Sequence, residues 1–162
     1  VSHDRGEVRR LCRNVCIMED GASQPLQRVE QLFSHPTTLS ACRLSGCENI
    51  SAIQRMENGL LRALDWGITI ALSGPWPRNI THIGIRADCL KVVEGPGEHI
   101  VLLRVKRVIE DITYITLVLA PLERKDISLY MELTPESWQT IGHPEQLWVK
   151  LQPEDLLLLS SS

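Results

Sequence analysis

The side chains that can do chemistry are scattered along this chain of 162 residues. Its five cysteines are Cys12, Cys16, Cys42, Cys47 and Cys89. The number is odd and no C-x-x-C pair exists, which argues against a disulfide framework and for a reducing compartment. Cys12 and Cys16 stand at i, i+4, a spacing that can put two thiolates on one helix face. No nearby His or second Cys pair completes four zinc ligands, so the bland reading is two half-buried apolar residues. The five histidines (His3, His35, His82, His99 and His143) each fall in a different segment. The chain contains no G-x-x-x-x-G-K-[ST], G-x-G-x-x-G, H-E-x-x-H or G-x-S-x-G. Gly95-Pro96-Gly97 is a turn with no helix after it to aim amides at a phosphate. Arg104, Lys106 and Arg107 alternate along a strand pattern. Arg104 and Lys106 share a face with Val105 on the other, which by default is a solvated sheet face. No local motif supplies a catalytic engine.

The elements that must position these groups change near residue 50. Hydrophobic residues make up 43% and charged residues 23%, globular values that argue against wholesale disorder. Net charge is 17 − 20 = −3, which argues against attachment to nucleic acid or anionic lipid by bulk electrostatics. Apolar runs reach about five residues where roughly 20 are needed to span a bilayer. The basic N-terminus is not followed by an apolar core, so no signal peptide is expected. Asp4 and Glu7 have capping-box spacing, and Val8, Leu11, Cys12 and Val15 recur with helical period. Residues 15–18 predict a short strand with an Asp20-Gly21 turn. Helices are expected over 26–33, broken at His35-Pro36, and over 37–44, stopped by Gly46.

Beyond residue 50 the pattern predicts short strands at 60–64, 68–72, 80–86, 90–93, 100–109, 114–119, 127–133 and 147–151. Turn residues separate the first of them, including Asn58-Gly59, Asp65-Trp66-Gly67 and Ser73-Gly74-Pro75-Trp76-Pro77. Residues 109–116 are rich in the β-branched types that strands prefer. Thr134-Pro135 predicts one helical turn with Thr134 as N-cap and Pro135 in first position. Trp66 and Trp76 lie in turn-like segments, where closing a small β core is commoner than stacking on a ligand. The class implied is mainly β, an antiparallel barrel or sandwich preceded by a short α-rich segment. The strand count suits one or two OB-like barrels. Residues 160–162 form a polar tail.

The order of segments also carries a resemblance. Ser2-His3-Asp4 followed by Glu7-Val8 and Leu11-Cys12 resembles the switch-histidine segment of ABC transporter ATPases. Val15-Cys16-Ile17-Met18-Glu19-Asp20-Gly21 looks like the next strand and turn of that domain. Gln31-Leu32-Phe33-Ser34-His35-Pro36 resembles the helix end that closes it. Ser45-Gly46-Cys47-Glu48-Asn49-Ile50 resembles the junction into the regulatory domain of molybdate- and tungstate-type importers. Gly84-Ile85-Arg86-Ala87-Asp88-Cys89-Leu90 is similar to a G-I-R-x-E-x-L signature within such domains. Residues 147–159 are similar to their last strand and the helical turn after it.

The resemblance implies the C-terminal part of an ATP-binding subunit. Residues 1–48 would be the end of the ATPase domain, and residues 49–162 a transport-associated OB (TOBE) domain. His3 matches the switch histidine, which in the family contacts the terminal phosphate and the attacking water. The phosphate-binding loop, acidic strand and signature motif are not in this sequence, so no ATP hydrolysis is expected. The implied cofactors, ATP and magnesium, would belong to the whole parent subunit. The implied partners are a second copy of the chain and membrane permease subunits, at the cytoplasmic face of the membrane. Some molybdate-type domains also bind oxyanion, through a S-A-R-N-type segment that this chain lacks. The corresponding residues 105–111 offer Lys106 and Arg107 as candidate anion ligands beside Glu110 and Asp111, which repel an anion. The first reading is therefore an accessory and dimerisation region of an oxyanion importer. The alternative is a module that senses or stores molybdate, tungstate or sulfate. A single-strand nucleic-acid binder ranks third, because the chain is acidic and has only seven aromatics.

Overall fold

The computed structural model describes residues 1–72 and 74–161. Ser73 of the expected separator and Ser162 of the polar tail lie outside the described residues. The first element is α1 (Arg5–Leu11), whose N-cap Asp4 carboxylate accepts the Glu7 amide at 2.9 Å. The expected apolar helix face is cut short. The helix stops at Leu11, Cys12 caps it, and Val15 lies in β1 (Asn14–Val15). β2 (Met18–Glu19) and β3 (Ala22–Ser23) form a hairpin, and β4 (Gln27–Arg28) returns to pair with β1. The hairpin turns on Asp20 and Gly21, with φ of 50° and 79°, the pair of positive values that an Asp-Gly I′ turn requires.

Next, α2 (Val29–Ser34) buries Val29 and Leu32 and ends before Pro36, because proline disfavours helix at the preceding residue. Leu26, expected on its apolar face, precedes the helix and is 70% exposed. α3 (Leu39–Leu44) is capped by Thr38, whose hydroxyl accepts the Ala41 amide at 3.2 Å. It ends in a Schellman motif. Gly46 adopts φ 92°, its amide donates to the Arg43 carbonyl at 3.1 Å, and the Cys47 amide donates to the Cys42 carbonyl at 3.2 Å. That closure sets the Cys42 and Cys47 side chains against each other and aims the chain into the β body.

The body is two antiparallel five-stranded sheets. One contains β5 (Asn49–Arg55), β6 (Leu61–Ala63), β7 (Ile68–Ile70), β8 (His82–Ile85) and β14 (Leu157–Leu159), in the order β14-β8-β5-β6-β7. The other contains β9 (Lys91–Val93), β10 (Ile100–Glu110), β11 (Ile115–Pro121), β12 (Leu129–Leu133) and β13 (Gln146–Lys150), in the order β12-β11-β10-β13-β9. Both send alternate residues into one core. Ile70, Ile83 and Ile85 of the first sheet meet Leu103, Leu117, Leu119, Met131 and Val149 of the second. Each such side chain contributes about 1.5–3 kcal/mol through burial. α4 (Pro135–Thr140) has the expected Thr134 cap and Pro135, and it seats Trp138 in the same core. The architecture is the mainly β, OB-like class expected from the short-strand spacing.

The β-branched run over 109–116 is divided by a hairpin turn, where the Asp111 amide donates to the Tyr114 carbonyl at 3.0 Å. Residues 153–155 form a 3-10 turn, and the apolar residues after it make β14, which pairs with β8. β14 is also the anchor for the first third of the chain. The Leu39 amide donates to the Ser160 carbonyl, and the Ser160 amide to the Thr37 carbonyl, both at 2.9 Å. Cys42, Cys47 and Leu159 form a small buried cluster at this seam.

Candidate functional site

His3 precedes α1 in a segment without strand pairing, and it is exposed. Lys106 and Arg107 are neighbours on β10, and both are exposed. A bulge between Val105 and Arg107 breaks the alternation of β10, so Lys106 is the extra residue and the shared face with Arg104 is lost. The Lys106 ammonium donates to the Lys125 carbonyl at 3.1 Å and the Ser128 hydroxyl at 3.0 Å, which ties β10 to the β11–β12 connection. Arg107 stands exposed beside it. Cys12 and Cys16 share no helix either, since Cys16 lies beyond β1 and its thiol donates to the Gln24 carbonyl at 2.9 Å. Trp66 is 1% exposed and Trp76 packs on the same core, its indole N–H donating to the Gly59 carbonyl at 3.1 Å. Both therefore close the β body, the commoner of the two expected roles.

The structure gathers cationic groups elsewhere. A cleft of about 690 Å³ opens between the N-terminal segment and the β body, lined by Arg9, Arg13, Arg28 and Arg86 with Ser34, Ser45 and Glu30. The volume is that of a small-molecule pocket. Arg9 comes from α1, Arg13 from just after it, Arg28 from β4, and Arg86 from just after β8. Arg86 reaches across the seam and donates to the Phe33 carbonyl, and the Arg9 guanidinium lies 5.8 Å from the centre of the Phe33 ring. Among the described residues, the sole ion pair between Lys or Arg and a carboxylate is Arg124–Asp126 on the surface. None of the four cleft guanidiniums is so paired, and guanidinium forks match the geometry of oxyanions. The concave arrangement gathers their positive potential in one place.

A second cavity, of about 310 Å³, has the opposite character. Asp88 and Glu132 line it together with Cys47, Asn49, Arg86 and Tyr130. Burial, and then the nearby Asp88 charge, push the Glu132 carboxyl above its ordinary range. Such a wall disfavours anions, so the arginine-lined cleft is the better candidate site. Among the described residues, no group of three or more His, Cys, Asp or Glu is placed to hold a metal ion. No helix among them is long and apolar enough to cross a membrane.

Sequence reasoning passed over the four cleft arginines because they are distant in the chain. One signal was present: no lysine precedes Lys91, so the fixed positive charges of that stretch are all arginines, the type that suits oxyanion recognition. Neither known family models nor curated proteins give a match to this chain.

Proposed function

We propose that this chain is the accessory C-terminal region of an ABC importer ATP-binding subunit, with a role in subunit pairing rather than chemistry. Residues 1–48 are the end of the ATPase domain in this reading, and residues 49–162 the TOBE-type regulatory domain. The observation that carries it is the order of family-like segments, from His3 to the mainly β body that follows Ser45-Gly46-Cys47-Glu48-Asn49-Ile50. The exposed Leu11, Met18 and Leu26, at 80%, 69% and 70%, give the N-terminal segment an unpartnered apolar surface suited to a second copy. The deciding experiment is to read the genomic DNA immediately upstream of the Val1 codon. A continuous frame encoding a phosphate-binding loop supports the reading, and an in-frame stop at that point sinks it. The purified chain should sediment as a dimer at micromolar concentration, and a monomer counts against the pairing role. Magnesium-dependent ATP turnover by the same preparation would overturn the assignment of chemistry to other parts of the subunit.

One observation favours a second reading, that the chain binds molybdate, tungstate or sulfate directly. The guanidiniums of Arg9, Arg13, Arg28 and Arg86, none in an ion pair with a carboxylate, offer many donors to a tetrahedral dianion. Calorimetric titration with the three anions tests it. Saturable binding that Arg28→Ala and Arg86→Ala each weaken supports the anion role. Silence at millimolar concentration leaves only the pairing role.

A further inference from the structure

Two cysteines remain outside both readings. Cys42 and Cys47 occupy the two positions of the α3 Schellman motif whose side chains normally make its apolar contact. They are 0% and 4% exposed and belong to one cluster. A Cβ on Gly84 would lie 3.2 Å from the Cys42 sulfur and 3.5 Å from the Cys47 sulfur, so both sulfurs converge on one point of β8. We propose that Cys42 and Cys47 form a dithiol–disulfide pair, a redox modification site at the joint of α3 and β5 that is oxidised by small-molecule disulfides.

The two sulfurs are not equivalent. Cys47 borders two cavities, of about 490 and 310 Å³, whereas Cys42 borders neither. Cys47 is therefore the sulfur that a dissolved reagent meets first. Its thiol also accepts stabilisation as the anion. The hydrogen bond from Cys42 lowers its proton affinity, and the nearby Arg86 charge adds to this against the opposing effect of burial. Cys42, hydrogen-bonded to Cys47 and buried, is pushed up and keeps its proton. The Cys47 thiolate attacks one sulfur of a disulfide RSSR, the S–S bond breaks, and RS⁻ leaves to be protonated by water. Cys42 then loses its proton and attacks the Cys47 sulfur of the mixed disulfide, and the second RS⁻ leaves with that proton. The protein loses two protons and two electrons, and RSSR becomes two RSH. The other thiols lack this arrangement. Cys12 and Cys16 are exposed and Cys89 is half-buried. Burial and the Asp88 charge push the Cys89 thiol up, away from reactivity.

The test uses the folded full chain and oxidised glutathione. After hours of exposure, free thiols are blocked and the protein is digested with trypsin without reduction. Cleavage after Arg43 puts Cys42 on peptide 29–43 and Cys47 on peptide 44–55. The expected product is these two peptides joined, about 2 Da below the sum of their reduced masses. In Cys42→Ser, glutathione should accumulate on Cys47. In Cys47→Ser, Cys42 should stay unmodified. Recovery of both cysteines as blocked thiols in wild type, while Cys12 and Cys16 carry glutathione, overturns the proposal. So does a joined pair that forms only in urea, or glutathione on Cys42 in the Cys47→Ser chain. The wild-type peptide map decides the matter even where a serine variant does not fold.

Discussion

Asn49 offers the most direct test of how the two sheets are held. It lies in β5 and is 1% exposed. Its side-chain amide donates to the Tyr130 carbonyl at 2.7 Å, and its side-chain oxygen accepts the Tyr130 amide at 2.6 Å. Tyr130 is in β12, the edge strand of the other sheet, so one side chain imitates a neighbouring strand against an open edge. Asn49→Ala leaves both backbone groups of Tyr130 without this partner. An unsatisfied buried group costs about 1–3 kcal/mol. Tyr130 is half-buried, so water reaches part of the gap and the lower half of the range applies, about 3 kcal/mol for the two groups together. With a urea slope of about 2 kcal/mol per molar, the midpoint should fall by about 1.5 M. Urea unfolding followed by the fluorescence of the buried Trp66 and Trp138 measures it. Asn49→Asp provides the sharper control. It keeps the acceptor but sets a carboxylate oxygen against the Tyr130 carbonyl, and it buries a charge. Its folded pKa is then raised above the unfolded value, so its stability is highest in acid and falls as pH rises through the folded pKa. A midpoint for Asn49→Ala within about 0.3 M of wild type, or an Asn49→Asp chain indifferent to pH, refutes the clip.

Three further outcomes follow from the same seam. Gly84→Ala places its methyl 3.2 Å from the Cys42 sulfur and 3.4 Å from the Asn49 carbonyl, and it should cost about 1–3 kcal/mol in urea unfolding. Adding Cys42→Ala should recover part of that loss, a non-additivity readable in a double-mutant cycle. Oxidation of Cys42 to Cys47 closes a short loop worth about 2 kcal/mol, so the oxidised chain should melt about 4–8 °C above the reduced one by calorimetry. Glu132, raised by burial and by Asp88, contributes stability at low pH that is lost as pH rises through its folded pKa. Glu132→Gln should flatten the pH dependence of the urea midpoint in the weakly acidic range.

What the sequence shows and what it hides divide along physical lines. Period-2 runs with turn residues between them marked most strands of the body, because burial on one face dictates that alternation. The cap at Thr134 and the Asp20-Gly21 turn were legible because both are local hydrogen-bond or dihedral requirements. β5 was not legible. Its stretch Asn49-Ile50-Ser51-Ala52 is polar at the buried positions, where Asn49 serves β12 and the Ser51 hydroxyl accepts the Asp65 amide at 3.0 Å. Buried polar residues look like a loop until their partners are known. The bulge at Lys106 was equally hidden, since one unpaired residue alters pairing without altering composition. The cleft arginines arise from four separate segments, and only the fold brings them together.

The seam between the N-terminal segment and the β body has a consequence for both. α2 and α3 are held by Arg86, by residues 37–39 against Ser160, and by Cys42 and Cys47 against Leu159. α1 buries no residue at all. α1 is therefore not packed into the β body, whereas α3 is committed to it. Arg86 sits on both sides of this division. Its guanidinium fixes the end of α2 through the Phe33 carbonyl, lines the cationic cleft, and adds positive charge beside the Cys47 thiol. An anion bound in the cleft, as the second reading has it, would compete for that guanidinium and weaken its pull on Cys47. If both proposals hold, anion occupancy and thiol reactivity are coupled through this one side chain with a definite sign: molybdate or sulfate added at saturating concentration should slow the oxidation of Cys47 by oxidised glutathione, and faster oxidation refutes the coupling.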